Sequence, residues 1–206
     1  MSLQLVIFDM DGTLVQSEDC ASQALIDTIP ALTASVSELT ARYRGMRLAE
    51  IFADIERMQP GAIPDQYLET YREREDLLAQ SMIKVSEGAD AMLSRLDKPK
   101  CIASNAPREK TLRSLASCGL AHHFTEGVFS ANDLQAWKPD PSLFLHAAQH
   151  YQVAPANCIV IEDSAVGLQA ARAAGMPAIF YDPFDLYDGS HDTPRISSLL
   201  QLLDRL

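Results

Sequence analysis

The chain has 206 residues, with 17 basic and 28 acidic side chains, a formal charge of −11, and 47% hydrophobic residues. That is enough apolar side chain for one packed domain, or a core domain with a modest insertion, and it excludes a largely disordered chain. The acidic balance disfavours nucleic acid as a partner, because a phosphate backbone is held by clustered Lys and Arg.

The first strand signal is the apolar run that ends at Phe8, in the segment Leu3 to Phe8. It lacks a basic leader and is too short for a signal peptide. No stretch approaches the roughly 18 apolar residues of a membrane span, so the expectation is a soluble, cytoplasmic protein with no membrane partner. About ninety residues then separate this strand from the next, far more than a strand-to-helix connection needs. Within them, Ser35 to Ile55 and Asp65 to Gln80 read as helices broken around Gln59-Pro60-Gly61, and the charged run Glu69 to Asp76 reads as a solvated helix face. Residues 15–85 are therefore predicted to form a small helical second domain inserted into a core of 1–14 and 86–206.

Four further strands are predicted at Lys100 to Ala103, Gly127 to Phe129, Cys158 to Ile161 and Pro177 to Tyr181, alternating with helical patterns, which implies a doubly wound α/β parallel sheet. Ser104-Asn105-Ala106-Pro107 supplies an N-terminal cap for a helix with Leu112, Leu115 and Cys118 on one face, ending at Gly119. Asp140-Pro141 caps a helix running to Tyr151. Ser164 caps another, with Leu168, Ala171 and Ala174 on one side and Gly175 at its end. Ile196, Leu199, Leu200 and Leu203 give a last helix an apolar stripe that docks on the core or forms a dimer surface, leaving monomer or dimer open. The four cysteines (Cys20, Cys101, Cys118, Cys158) have no metal or disulfide spacing and read as buried thiols. His122-His123 reads as a post-helix loop with no metal partner at suitable spacing, and Trp137 as packing beside the lysine loop.

The chemistry is concentrated in Asp9-Met10-Asp11-Gly12-Thr13, directly after the first strand. Gly12 permits a sharp turn that exposes both carboxylates at the strand's carboxyl end, where ligands bind in open α/β sheets. Glu162-Asp163 ends another strand. Should the two strands be neighbours, four acidic groups meet, and each like-charge pair at about 4 Å costs roughly 4 kcal/mol even at an effective dielectric of 20. A cation is then required, and all-oxygen ligation favours Mg²⁺ over zinc. Ser104-Asn105 is either a helix cap or a phosphate cradle of hydroxyl and backbone N–H groups. Lys138 is either a surface lysine or the site's counter-charge.

Taken together, DMDGT at 9–13, SN at 104–105, KPDP at 138–141 and IEDS at 161–164 resemble the four motifs of haloacid dehalogenase superfamily hydrolases, within the β-phosphoglucomutase-like and sugar-phosphate phosphatase group. The resemblance extends over essentially the whole chain. It implies a Rossmann-like core with an inserted helical C1 cap, and a phosphatase acting on a small phosphorylated metabolite. Asp9 would be the nucleophile and Asp11 the general acid/base. Mg²⁺ would be held by Asp9, the Asp11 carbonyl, Asp163 and Glu162, while Ser104, Asn105 and Lys138 would bind the phosphoryl group. In the cap, Arg44, Gly45 and Arg47 match a substrate-selecting loop; the alternative is a helix break with two solvated arginines.

Two positions depart from the family pattern. Gln16 stands where an Asp commonly precedes Ser17, at the hinge. Ala21 stands where mutase-like members carry a proton-transferring His, which favours a phosphatase over a phosphomutase. Because Asp9 and Asp11 are both intact, a catalytically idle binding module on this fold is also disfavoured.

Overall fold

The computed structural model describes residues 3–185 and 193–206. Two compact units emerge, one of residues 1–15 with 85–206 and one of residues 16–84.

In the first unit, strands β1 (Leu5–Phe8), β4 (Lys100–Ser104), β5 (Val128–Ser130), β6 (Cys158–Glu162), β7 (Ala178–Tyr181) and β8 (Arg195–Ile196) pair in the order β5-β4-β1-β6-β7-β8. The pairings of β1 with β4 and β6, of β4 with β5, and of β7 with β6 and β8 are parallel. All four residues of β1 are buried, as expected of a central parallel strand covered on both faces. Chain order reverses across β1, between β4 on one side and β6 on the other, which creates the crevice at the strand ends where such sheets bind ligands. Two very short strands, β2 (Val15–Gln16) and β3 (Lys84–Val85), form a separate two-stranded sheet.

Helices α5 (Ala89–Arg95), α6 (Arg108–Ser117), α7 (Ala131–Leu134), α8 (Ser142–His150) and α9 (Ala165–Ala173) belong to the sheet unit. Leu143, Phe144 and Ala147 of α8 and Ala170, Ala171 and Ala174 of the α9 segment pack with Leu5, Ile7, Cys101 and Cys158 in one apolar cluster. The small residues let α9 approach the sheet closely. All four cysteines are free, and all but the half-buried Cys118 are buried. Trp137 packs against this same cluster.

Two expectations change here. On α6 the buried residues are Thr111, Ser114 and Leu115, while Leu112 is 43% exposed. The terminal segment is strand β8 followed by a 3₁₀ helix, Leu199–Asp204. Of the predicted stripe Ile196 and Leu199 are buried, but the tighter three-residue turn buries Leu202 beside Leu199 and leaves Leu200 exposed.

The second unit is helical: α1 (Glu18–Thr28), α2 (Val36–Tyr43), α3 (Leu48–Met58) and α4 (Tyr67–Met82). Ala24, Leu25, Ile29, Leu39, Phe52, Ile55 and Tyr71 form its own apolar core, with Phe52 edge-on to Tyr71 at 5.6 Å between ring centroids. The helix expected over 35–55 is two helices. Ser35 opens α2 with a reciprocal cap, its Oγ accepting from the Glu38 N–H and its own N–H donating to Glu38 Oε2. Gly45, at φ +73°, then breaks the run, because a left-handed residue cannot continue an α-helix.

Candidate active site

β1 delivers Asp9 to the crevice, and the next six residues fold back tightly. Gly12 takes φ +85°. The N–H groups of Thr13, Leu14 and Val15 all donate to the Met10 carbonyl, and the Gly12 N–H donates to the Val15 carbonyl. The result is a buried Asp9, 7% exposed, with a half-buried Asp11 two residues on. The Asp9 N–H donates to the Ile161 carbonyl at 2.9 Å, which extends the β1–β6 register and brings Asp9 beside the end of β6.

Glu162 is wholly buried there. Its Oε1 accepts from the N–H groups of Asp163 and Ser164, both at 3.2 Å, and from Ser164 Oγ at 2.9 Å. Its Oε2 accepts from Lys138 Nζ at 3.0 Å. Ser164 serves twice, since its Oγ also caps α9 by accepting from the Gly167 N–H. Gly167 has a further reason to be glycine: a Cβ there would stand 1.7 Å from Glu162 Oε2. Thr13 Oγ1 donates to Asp163 Oδ1 at 3.2 Å, tying the loop after β1 to the loop after β6.

Lys138, 3% exposed, places Nζ 2.5 Å from Asp9 Oδ1 as well as against Glu162, over the face of Phe144 at 4.9 Å. Its backbone is gripped by Asn105, whose Oδ1 accepts from the Lys138 N–H at 2.9 Å and whose Nδ2 donates to the Lys138 carbonyl at 3.5 Å. Burial opposes the charge on Lys138, but attraction to Asp9 and Glu162 prevails and holds the ammonium above its ordinary range. Burial pushes the Asp9 carboxyl up to about 8, with Glu162 acting the same way and Lys138 opposing. A single ammonium is shared by two buried carboxylates, which leaves surplus negative charge for a proton or a second cation to offset.

Oxygens of Asp9, Glu162 and Asp163 lie within 4.8 Å of one another. An all-oxygen, buried, net-negative donor set fits a hard divalent cation. Glu162 is within reach of such an ion, although both of its oxygens already have donors.

The sequence-predicted residues Asp9, Lys138, Glu162 and Asp163 thus come together. Ser104 ends β4, adjacent to β1, and is buried, with its Oγ accepting from the Ala106 N–H at 3.0 Å. The cap of α6 is Pro107, so Ser104 does not cap the helix. The remaining three candidates belong to the helical unit. Arg44 Nη1 contacts Glu18 Oε1 at 2.7 Å, Gly45 makes the break, and Arg47 opens α3, its N–H donating to Glu50 Oε2 at 3.2 Å. Sequence reasoning missed Gly167 and the double role of Ser164. A glycine three residues after a capping serine, following an acidic strand end, was the available signal.

The model of the haloacid dehalogenase-like hydrolases matches residues 3–175. The chain is 34% identical over 204 residues to the 6-phosphogluconate phosphatase of Escherichia coli K12, covering 97% of this chain and 91% of that one. It is 29% identical over 185 residues to a fructose-1-phosphate phosphatase of the same organism, covering 84% and 94%. Among solved structures, a haloacid dehalogenase-like protein of unknown function from Agrobacterium tumefaciens superposes with a TM-score of 0.85 at 32% identity, covering 99% of this chain and 97% of that one.

Proposed function

The chain belongs to the haloacid dehalogenase-like hydrolases, and from that premise we propose that it is a phosphomonoesterase for a small phosphorylated sugar or sugar acid, working through a phosphoryl group carried on Asp9. The observation that carries this reading is the buried Asp9–Lys138–Glu162 contact chain at the ends of β1 and β6, with Asp11 two residues beyond the nucleophile. No helix among the described residues is long and apolar enough to cross a membrane.

In the proposed reaction an Asp9 oxygen attacks phosphorus in line, and the bond from phosphorus to the substrate's alkoxide breaks as the new one forms. Asp11 gives its proton to the departing alkoxide. It then takes a proton from the water that attacks phosphorus and releases Asp9. Lys138 and Ser104 offset the charge on the phosphoryl oxygens, and Asn105 acts by fixing the Lys138 peptide. Mg²⁺, held by Asp9, the Asp11 carbonyl and Asp163 with Glu162 in reach, would supply the charge neutralisation that lets a carboxylate approach a phosphate dianion.

The helical unit is proposed as the C1 cap, and its Arg44-Gly45-Arg47 turn as a contributor to substrate choice. A substrate carboxylate, as in the 6-phosphogluconate named for the Escherichia coli relative, would suit an arginine. Ala21 supports hydrolysis over phosphoryl return to an isomer.

The test is phosphate release over a panel of sugar phosphates, in Mg²⁺ and after chelation. The expected result is release that stops on chelation and returns with Mg²⁺. Isomerised phosphosugar without free phosphate would mean a mutase, and no turnover of any panel member in Mg²⁺ would sink the enzymatic reading.

A further inference from the structure

A second group of metal-capable side chains, sharing no residue with the carboxylate cluster, lies elsewhere in the sheet unit. Asp90, in the first turn of α5, stands against His122 and His123, which follow α6 in a 3₁₀ turn, Ala121–His123. No metal partner lies at suitable spacing along the sequence, but folding brings Asp90 to the histidine pair from 32 residues away. One donor atom from each of the three lies within 4.8 Å of the others.

The hydrogen bonds prepare these atoms for a metal. His122 Nδ1 is 2.8 Å from the Gly119 carbonyl oxygen, and a carbonyl only accepts, so Nδ1 carries the proton. In the neutral ring, Nε2 is then an electron-pair donor, and it lies 3.9 Å from Asp90 Oδ1. A backbone carbonyl on the non-ligating nitrogen is the support that metal-bound histidines ordinarily have. His123 Nε2 is 2.8 Å from the same Asp90 oxygen, and its side chain is only 7% exposed, so its ring is held by packing. The two rings lie 3.8 Å apart with planes inclined at 40°. Tetrahedral ligands at zinc distances are separated by about 3.3 Å. The two separations from Asp90 Oδ1, 2.8 and 3.9 Å, bracket that value, and all three donor atoms lie within 4.8 Å of one another.

We propose that Asp90, His122 and His123 form a Zn²⁺ site, with water completing the coordination. Two imidazoles and one carboxylate are borderline ligands that suit zinc, in contrast to the all-oxygen set around Asp9. Binding displaces the Asp90–His123 hydrogen bond, and the His123 proton moves from Nε2 to Nδ1 by exchange with solvent, so the ring stays neutral and Nε2 offers its electron pair to the ion. The ion ties the start of α5 to the turn after α6. Nothing in this proposal depends on the phosphatase reading.

The test is calorimetric titration of Zn²⁺ into the chelator-stripped full chain in excess Mg²⁺, repeated with Co²⁺ as a spectroscopic probe of nitrogen ligation. His122 and Asp90 are exposed, so His122→Gln and Asp90→Asn should fold normally. Each should weaken Zn²⁺ binding by at least about tenfold, since even the loss of a supporting group costs about 10–100-fold. Both should lose the visible Co²⁺ bands, and Asp9→Asn should change neither readout. The proposal is overturned if the wild-type chain shows no Zn²⁺ event, if both variants titrate like wild type, or if the event vanishes in Asp9→Asn.

Discussion

At the carboxyl edge of the sheet Lys138 is 3% exposed and contacts two carboxylates, whereas in the helical unit Arg57 has a side chain 70% exposed and pairs with Asp54. The same contrast runs through both units. Glu162 is buried and takes four hydrogen bonds, while in the Arg42–Asp54 and Arg74–Asp27 pairs of the helical unit the arginines are 46% and 37% exposed. A buried charge that loses its partner costs several kcal/mol, whereas an exposed pair contributes about 0–1 kcal/mol. The sheet edge is therefore constrained by folding and by chemistry at once. In the helical unit, an exposed side chain such as Arg57 can be exchanged at little cost to stability.

The largest effect should come from Asp9→Asn. The amide is nearly isosteric but a poor nucleophile, so turnover should fall by about 10⁴-fold or more, the scale seen when a covalent nucleophile is removed. Phosphate release measured beside a matched circular dichroism spectrum checks this, and substantial activity in the folded variant would remove Asp9 from its role. By contrast, Arg57→Ala in the helical unit should leave both turnover and fold unchanged.

Lys138→Met should strike stability as well as rate. It leaves Asp9 and Glu162 buried without their shared cation, a loss of about 3–5 kcal/mol, readable by urea denaturation. Adding Glu162→Gln should recover part of it. The same charge balance fixes the sign of a pH effect in chelated protein. Asp9 is raised from 3.8 to about 8, so folded chains hold a proton that unfolded chains have released. Stability should fall as pH rises between those values, and Asp9→Asn should flatten that slope. A chelated wild-type chain whose stability rose across this window would contradict the assignment.

How far the sequence revealed this division depends on the range of the interactions. The acidic loops and the main strands were legible, because an apolar run followed by Asp or Glu and a turn residue is a local pattern, whereas the residues around Lys138 left it open as a surface lysine or a counter-charge. Pairings across the sheet were not: nothing near Lys138 announces that Asn105 will hold its backbone. The two-residue strands β2, β3 and β8 are too short to carry a period. The break at Gly45 was hidden by helical periodicity on both sides of it, and the terminal 3₁₀ helix by Leu200, which mimics an α-helical stripe. Asp90 and the histidine pair meet only through the tertiary fold.

Gly167→Ala sharpens the contrast at smaller scale. In an exposed helix this change stabilises by about 0.5–1 kcal/mol, because alanine is the better helix former. In α9 the added methyl would meet the Glu162 carboxylate, so the sign should reverse, with a net loss of about 1–3 kcal/mol typical of overpacking. Because Glu162 holds Lys138, kcat should drop further than KM rises. An unchanged or raised melting temperature would show that the Glu162 side chain can shift at no cost.

The smallest effects are expected in the helical unit, where Arg44 and Arg47 are best tested separately. Arg44 contacts Glu18 with both side chains mostly covered, so Arg44→Ala should cost about 1 kcal/mol of stability, above the range of the open pairs. If this turn helps select a carboxylate-bearing substrate, one of the two variants should lower kcat/KM for 6-phosphogluconate by about tenfold, or roughly 1.4 kcal/mol. A small featureless phosphate ester, which offers no carboxylate, should be hydrolysed nearly as before. Equal losses on both substrates would point to a general fault in the helical unit rather than to recognition. No loss from either variant would assign substrate choice to other residues.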